Sequence, residues 1–341
     1  MFETGKPISI RDIARIVGVS TATVSNALNG KGHCSEKTRS AVLEVARREG
    51  YVTNLAAKGL RQAKSHSIGI ITPDVSNEFF SSLVLNIESF MHTKGYTSFI
   101  CNTANNPEHS ATYVRDMVQR NIDGFVFIGG RGGEESKLIG ETPTVFIDHL
   151  VLDRPARSFY IENDLKRMTA GQTELLIRHG CKRIAFLVID RHHTRIEDNE
   201  NFQGFASAIR AASLVLDRNL IFMGSHQQPS RLEATELVSQ ALNDGITFDG
   251  IVAVGDRPAI GAIAALEERG IAVGSEVKVI GTDNSPYSML YKPSLSTVDR
   301  NVDMMARSGV NALAAMLDGT ELSATEAVIP HRIVERATTL G

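Results

Sequence analysis

The sequence predicts an all-α helix-turn-helix head followed by an α/β body of two doubly wound parallel sheets. Three observations carry this. Two short amphipathic helical segments flank a glycine turn at Gly18-Val19-Ser20 near the start. From Ser67 onward, short apolar runs alternate with helical segments, the signature of parallel strands covered by helices. Charge divides at the same place. Residues 1–62 hold 10 Lys/Arg against 5 Asp/Glu, and the remainder holds 26 against 34, so the formal net charge of −3 hides a basic head and an acidic body.

The head can be justified residue by residue. Ser9 with Asp12 three places on has capping-box spacing, which satisfies free N–H groups at a helix start. Ile13, Ala14 and Val17 then share one face. Gly18 permits the turn, and Ser20 caps a second helix with Val24 and Leu28 turned inward. Its outward face is Thr21, Ala22, Ser25 and Asn26, small groups that let a backbone approach phosphates and base edges. A third helix runs from Ser35 to Gly50, with Val42, Val45 and Ala46 closing a small core. Two helices joined in this way place the second in a DNA major groove, and a basic head gains from counterion release where an acidic body does not.

Ile10, Asp12, Ile13, Ala14, Gly18, Val19, Ser20, Thr23, Val24, Ser25, Leu28, Asn29 and Gly30 stand in an order that resembles the head of lactose-repressor-type (LacI/GalR family) transcription regulators. The likeness continues through Ser35, Glu36, Thr38, Arg39 and Gly50-Tyr51. It implies Ser20, Thr21, Ala22, Ser25 and Asn26 as DNA-contacting residues. Residues 54–62 are similar to the family's hinge, which implies a short helix in which Lys58 contacts DNA and Leu60 wedges into a minor-groove base step. Three positions depart from the pattern. Gly59 costs about 1 kcal/mol of helix propensity relative to alanine. Lys58 replaces a forked arginine contact by a point charge. Asn26 stands where arginine is common, which shifts the preferred base from guanine to adenine.

In the body, strands are expected at 67–72, 97–101, 124–128 and 144–147, then at 183–188, 250–254 and 277–281, with helices such as 80–94 and 259–269 between them. A hydrophobic content of 42% over 341 residues suffices for cores of that size. Pro73-Asp-Val-Ser-Asn-Glu-Phe-Phe80, Asp123-Gly124, His179-Gly180, Gly204-Phe205, Ile280-Gly-Thr-Asp283 and Pro293-Ser-Leu-Ser-Thr-Val298 follow in family order. The resemblance implies a periplasmic-binding-protein-like domain of two lobes, the chain crossing between them near 163, 291 and 322. The expected organisation is a head at 1–52, a hinge at 53–66 and an effector-binding and dimerisation domain at 67–341. Lobe 1 is then 67–163 plus 292–321, and lobe 2 is 164–291 plus 322–335.

Ligands of such sheets bind beyond the strand C-termini. Candidate effector contacts are Phe79 and Phe80, whose aromatic faces suit a sugar ring, and Asp74, Asp148, Arg195, Asp256 and Asp283, which can fork onto hydroxyls. Asn201 replaces an arginine that commonly grips effector in the family, and His226 falls where some relatives place a stacking aromatic. The expected partners are a pseudo-palindromic DNA operator, a sugar or sugar derivative, and a second copy of the chain. The chain ends without an appended leucine-rich tail, and a homodimer is expected.

Other classes fare worse. Asp190-Arg-His-His-Thr-Arg-Ile-Glu197 concentrates histidines, but adjacent histidines on a loop do not give a facing i, i+4 metal pair. No phosphate loop, nucleophile elbow or carboxylate pair stands out, so no enzyme, metal or cofactor is expected. Cys34, Cys101 and Cys181 are isolated, as in reduced proteins. A secreted solute-binding protein would share the two-lobed fold, but residues 1–30 hold no apolar signal segment and nothing spans a membrane, so cytoplasmic residence is expected.

Overall fold

A computed structural model describes residues 8–30, 32, 34–51, 64–130, 132–149, 154–189, 195–225 and 230–341. The chain forms two compact units, Met1–Ser65 and His66–Gly341.

In the first unit, α1 (Ile10–Val17) begins at Ser9, where Asp12 N donates to Ser9 Oγ at 3.4 Å and Ser9 N donates to Asp12 Oδ2 at 3.0 Å. Gly18, left-handed at φ 75°, ends it. The helices α2 (Thr21–Asn29) and α3 (Glu36–Arg48) are capped by Ser20 and Ser35, each accepting a backbone N–H at 3.1 Å. Such caps contribute about 1 kcal/mol each. Ile13, Ala14, Val24, Ala27, Val42, Val45 and Ala46 form the shared core, and Leu28 packs against it half-buried. All three predicted helix starts therefore fall where the hydroxyl caps stand.

The second unit opens with β1 (Ser67–Thr72), α4 (Glu78–Thr93), β2 (Thr97–Asn102), α5 (Pro107–Gln119), β3 (Gly124–Ile128), α6 (Glu135–Ile139), β4 (Thr144–Ile147) and β5 (Ser158–Glu162). It continues with α7 (Leu165–Arg178), β6 (Ile184–Ile189), α8 (Glu200–Ala211), β7 (Ile221–Gly224), α9 (Ser230–Asn243), β8 (Gly250–Ala253), α10 (Asp256–Glu268), β9 (Lys278–Ile280) and α11 (Pro286–Leu290). It closes with β10 (Thr297–Asp299), α12 (Val302–Leu317), β11 (Glu326–Val328), β12 (Arg332–Val334) and α13 (Ala337–Leu340). One parallel sheet has the order β11-β5-β4-β3-β1-β2, and the other β7-β6-β8-β9. Alternation within the strands sorts the cores. Ile68, Ile70, Val126 and Ile128 face α4 and α12, while Ile71, Phe125, Phe127 and Phe146 face α5 and α6. In the second lobe, Leu187 and Ile251 pack with α9 and α10, and Phe186 and Val252 with α7 and α8.

The crossovers differ from expectation in two places. Residues 294–298 stay with the second lobe: Leu295 is buried in its core, Gly281 N donates to Ser296 O at 2.8 Å, and Asp283 N to Val298 O at 2.9 Å. Residues 326–328 instead extend the first sheet, Glu326 lying opposite Tyr160. The second and third crossings thus lie at Arg300 and between Val328 and Arg332 rather than near 291 and 322. Asn163 ties all three crossings together. Its Nδ2 donates to Arg300 O at 3.1 Å and Ile329 O at 2.8 Å, and Arg300 Nε donates to its Oδ1 at 2.8 Å.

Candidate DNA-reading face and ligand cleft

On the head, Thr21, Ala22 and Asn26 are exposed on the side of α2 opposite buried Val24 and Ala27. Asn26 lies beside Gly32, where an added Cβ would come within 2.8 Å of its Nδ2, so a small residue at 32 leaves the amide its position. Ser20 spends its hydroxyl on the cap and on Thr23 Oγ1 at 2.8 Å, which leaves it a positioning role in addition to any contact. Ser25 is half-buried, and its carbonyl accepts from Asn29 Nδ2 at 2.7 Å. Lys58, Gly59 and Leu60 lie outside the described residues, as does the predicted hinge helix.

In the two-lobed unit the predicted site residues do not form one set. Asp148, at φ 53° beyond β4 in the first lobe, meets Asp283, beyond β9 in the second, across the guanidinium of Arg300. Arg300 grips both carboxylate oxygens of Asp148 and stands 3.7 Å from Asp283, and its guanidinium lies 4.1 Å over the Phe79 ring. Phe79 is buried in the first core beneath it, and Phe80 packs beside Phe79 with its ring over Gly129. Burial alone would lower the pKa of Arg300, but Asp148 and Asp283 outweigh it and raise it. Asp283 titrates well above the usual carboxylate range because burial, helped by Asp256 and Asp148, prevails over the arginine.

Asp256 is the first residue of α10 rather than a loop residue, and it is buried. It accepts from Ser285 N at 2.7 Å and from Thr297 Oγ1 at 2.5 Å. Asn201 is buried too, accepting from Thr169 Oγ1 at 2.9 Å between α7 and α8. That interface is tight: a Cβ on Gly204 would stand 2.1 Å from Lys166 O. Arg195 is exposed ahead of a short 3₁₀ turn, and His226 lies outside the described residues.

Sequence reasoning missed a second link between the lobes. Arg257, beside Asp256 on α10, reaches the start of α4, where Nε donates to Glu78 Oε2 at 2.8 Å and Nη2 to Glu78 Oε1 at 2.9 Å. It also donates to Ser76 O and lies 3.6 Å from Asp74. Glu78 opens α4, so its carboxylate gains from the helix N-terminus as well. The forked spacing of Arg257 Nε and Nη2 onto one carboxylate makes this a directional latch rather than a loose surface pair.

Burial, only partly offset by Thr297, Ser285 and Arg336, pushes the Asp256 carboxyl up to about 6. In the unfolded chain it would titrate near the ordinary value of about 3.9. The folded state therefore binds the proton more tightly, and the associated stability is fully present below the unfolded value and lost as pH rises through the folded one. Asp256→Asn is expected to flatten that fall by on the order of 2–3 kcal/mol between about pH 4 and 7. Urea midpoints of both proteins at several pH values check this, and parallel curves would contradict it.

Residues 9–54 match the family described as "Bacterial regulatory proteins, lacI family", and residues 173–339 match the "Periplasmic binding protein-like domain". The chain is 27% identical over 333 residues to catabolite control protein A of Staphylococcus epidermidis, covering 97% of this chain and 99% of that one. It is 29% identical over 335 residues to the HTH-type transcriptional regulator RegA of Clostridium saccharobutylicum, with the same coverage. Its fold is similar to that of the lac repressor dimer bound to operator and the anti-inducer ONPF, with a TM-score of 0.84 at 23% identity over 98% of this chain and 100% of that one.

Proposed function

We propose that this chain, whose head matches the lacI family of bacterial regulatory proteins and whose body matches the periplasmic binding protein-like domain, is a DNA-binding transcription regulator of that family and acts as an effector-controlled repressor. Two copies pair through their two-lobed units and present two heads to a pseudo-palindromic operator. Thr21, Ala22 and Asn26 read the major groove, Ser20 and Ser25 set the helix on the backbone, and Lys58 and Leu60 act in the minor groove. The lac repressor, solved as a dimer on its operator with an anti-inducer, supports the reading by its shared fold.

The observation that carries the regulatory part is the ionic bridging of the two lobes. Arg300 joins Asp148 to Asp283, and Arg257 joins α10 to α4. A sugar or sugar derivative between the lobes would exchange hydrogen bonds with these same carboxylates, and an aromatic face is at hand in Phe80. It can shift the lobe arrangement only by its differential affinity for the two states. Exposed Leu85 on α4 and Phe99 and Ile100 on edge strand β2 give the first lobe apolar surface suited to pairing with a second copy.

The experiment is operator binding by the full-length protein, with and without a panel of sugars and sugar phosphates, for wild type and Arg257→Gln. Loss of the half-exposed latch is expected to lower effector affinity about fivefold, the share of about 1 kcal/mol for a forked pair in partial contact with water, because less of the free protein is closed. Operator binding that no member of the panel alters, in either protein, would refute control by a sugar-like effector.

A further inference from the structure

We infer that Gly32, in the loop after α2, is a positioning residue for base readout: its missing side chain sets where the Asn26 amide stands, and with it the base that α2 selects. The role rests on the reading of Asn26 as a base contact.

On the outward face of α2, Thr21 is short and Ala22 apolar. Asn29 spends its amide on the helix itself, Nδ2 donating to Ser25 O at 2.7 Å. Asn26 is exposed, and its side chain runs along Gly32. A Cβ built on Gly32 would stand 2.8 Å from Asn26 Nδ2, 3.1 Å from its Cγ and 3.5 Å from its Cβ. The asparagine thus occupies the space that an L side chain at 32 would fill. Gly32 also has φ 75°, a left-handed backbone that glycine adopts at no steric cost. The missing Cβ and the backbone conformation call for glycine independently of each other.

The two demands have different consequences. An amide at the far end of a flexible side chain yields to a new Cβ at small cost to folding, because other staggered rotamers are open to it. For readout the yielding itself is the loss. A two-point contact to adenine N6 and N7 needs both amide atoms in place, within about 0.5 Å of the productive geometry. A side chain already resting against the loop also gives up less rotamer freedom when DNA binds. Residue 32 therefore acts on specificity through Asn26, without touching a base.

The test is competition binding by the full-length protein. A randomised duplex library yields the preferred sequence, and duplexes changed at one base pair at a time measure the preference at each position. Gly32→Ala and Gly32→Asn share the added Cβ, but asparagine tolerates the left-handed backbone and keeps the loop folded. Both are expected to cut the preference for adenine at the Asn26 position about tenfold, with preferences elsewhere retained. Gly30→Ala carries the same left-handed strain at φ 65°, with Arg39 Nη1 at 3.8 Å as the nearest atom, and is expected to keep every wild-type preference. In an Asn26→Ala background, Gly32→Asn is expected to change affinity by under about twofold, because the side chain it displaces is gone. Wild-type preference at every position in both Gly32 variants would overturn the proposal. An equal loss of affinity from Gly32→Asn with and without Asn26 would overturn it as well, since residue 32 would then be merely structural. Unchanged preference in Asn26→Ala alone is a different failure: it would refute the reading of Asn26 as a base contact, and this role with it.

Discussion

Arg300→Ala is expected to destabilise the two-lobed unit by about 3–5 kcal/mol, the usual cost of stripping one partner from a buried ion pair. The guanidinium is 7% exposed, grips Asp148, faces Asp283 and closes the hydrogen-bonded knot of the three crossovers through Asn163. Its removal leaves two carboxylates from opposite lobes facing each other, with Asp256 acting on the same cluster. The loss has a pH signature. Asp283 already titrates high in the intact protein, and without Arg300 it should titrate higher still, so protonation at mildly acidic pH should restore part of the stability. Urea unfolding of the full-length chain at about pH 5 and about pH 7.5 reads both effects. Arg300→Lys keeps a charge but not the fork, and an intermediate loss is expected. A loss under about 1 kcal/mol that is the same at both pH values would mean that the network adds nothing beyond surface pairing.

Asn26→Ala is expected to weaken operator binding about ten- to a hundredfold, the equivalent of about 1–3 kcal/mol for a lost two-point base contact. The head itself should keep its stability within about 0.5 kcal/mol, because Asn26 is exposed while the core of Val24 and Ala27 lies on the other side of α2. The loss should be concentrated at one base pair of each half-site. Asn26→Arg, with the longer fork, should move the preference there from adenine to guanine rather than abolish binding. Competition binding on a set of single-base operator variants separates these outcomes. A uniform weakening across all variants would reassign Asn26 to a phosphate contact.

The head was almost wholly legible in the sequence because local chemistry decides it. Ser9, Ser20 and Ser35 each cap a helix, and Gly18 turns where a left-handed residue is required. The central strands of both sheets were legible for a similar reason, since runs such as Ile184–Ile189 are buried on both faces and read as continuous apolar segments. The short strands were not. β10, β11 and β12 have three residues each, and their places follow from pairing with distant strands rather than from any local pattern. That is why the second and third crossings were read about ten residues too early.

The site was legible as a list of carboxylates but not as a network. Asp148 and Asp283 stand out at strand ends, yet nothing in their spacing reveals that Arg300 lies between them, at sequence separations of 152 and 17 residues. An arginine two residues beyond the apolar-hydroxyl run Ser294–Val298, after Asp299, was the available signal, since a charge at a strand end beside a crossover has little water to face. Arg257 was hidden in a different way. Beside Asp256 it reads as an ordinary surface charge on a helix, and only the folded lobes bring it to Glu78. Asn201 showed the opposite failure, for helix packing against α7 absorbed a residue that its family position had suggested for ligand.

The measurement that tests the central claim most directly is selection of genomic DNA fragments by the purified full-length protein, in the presence and absence of the sugar panel. Enrichment of one pseudo-palindromic sequence, lost with Asn26→Ala and altered by a member of the panel, is the predicted result. Recovery of fragments without a common sequence, or the same recovery by wild type and Asn26→Ala, would contradict the reading of α2 as a sequence-specific recognition helix.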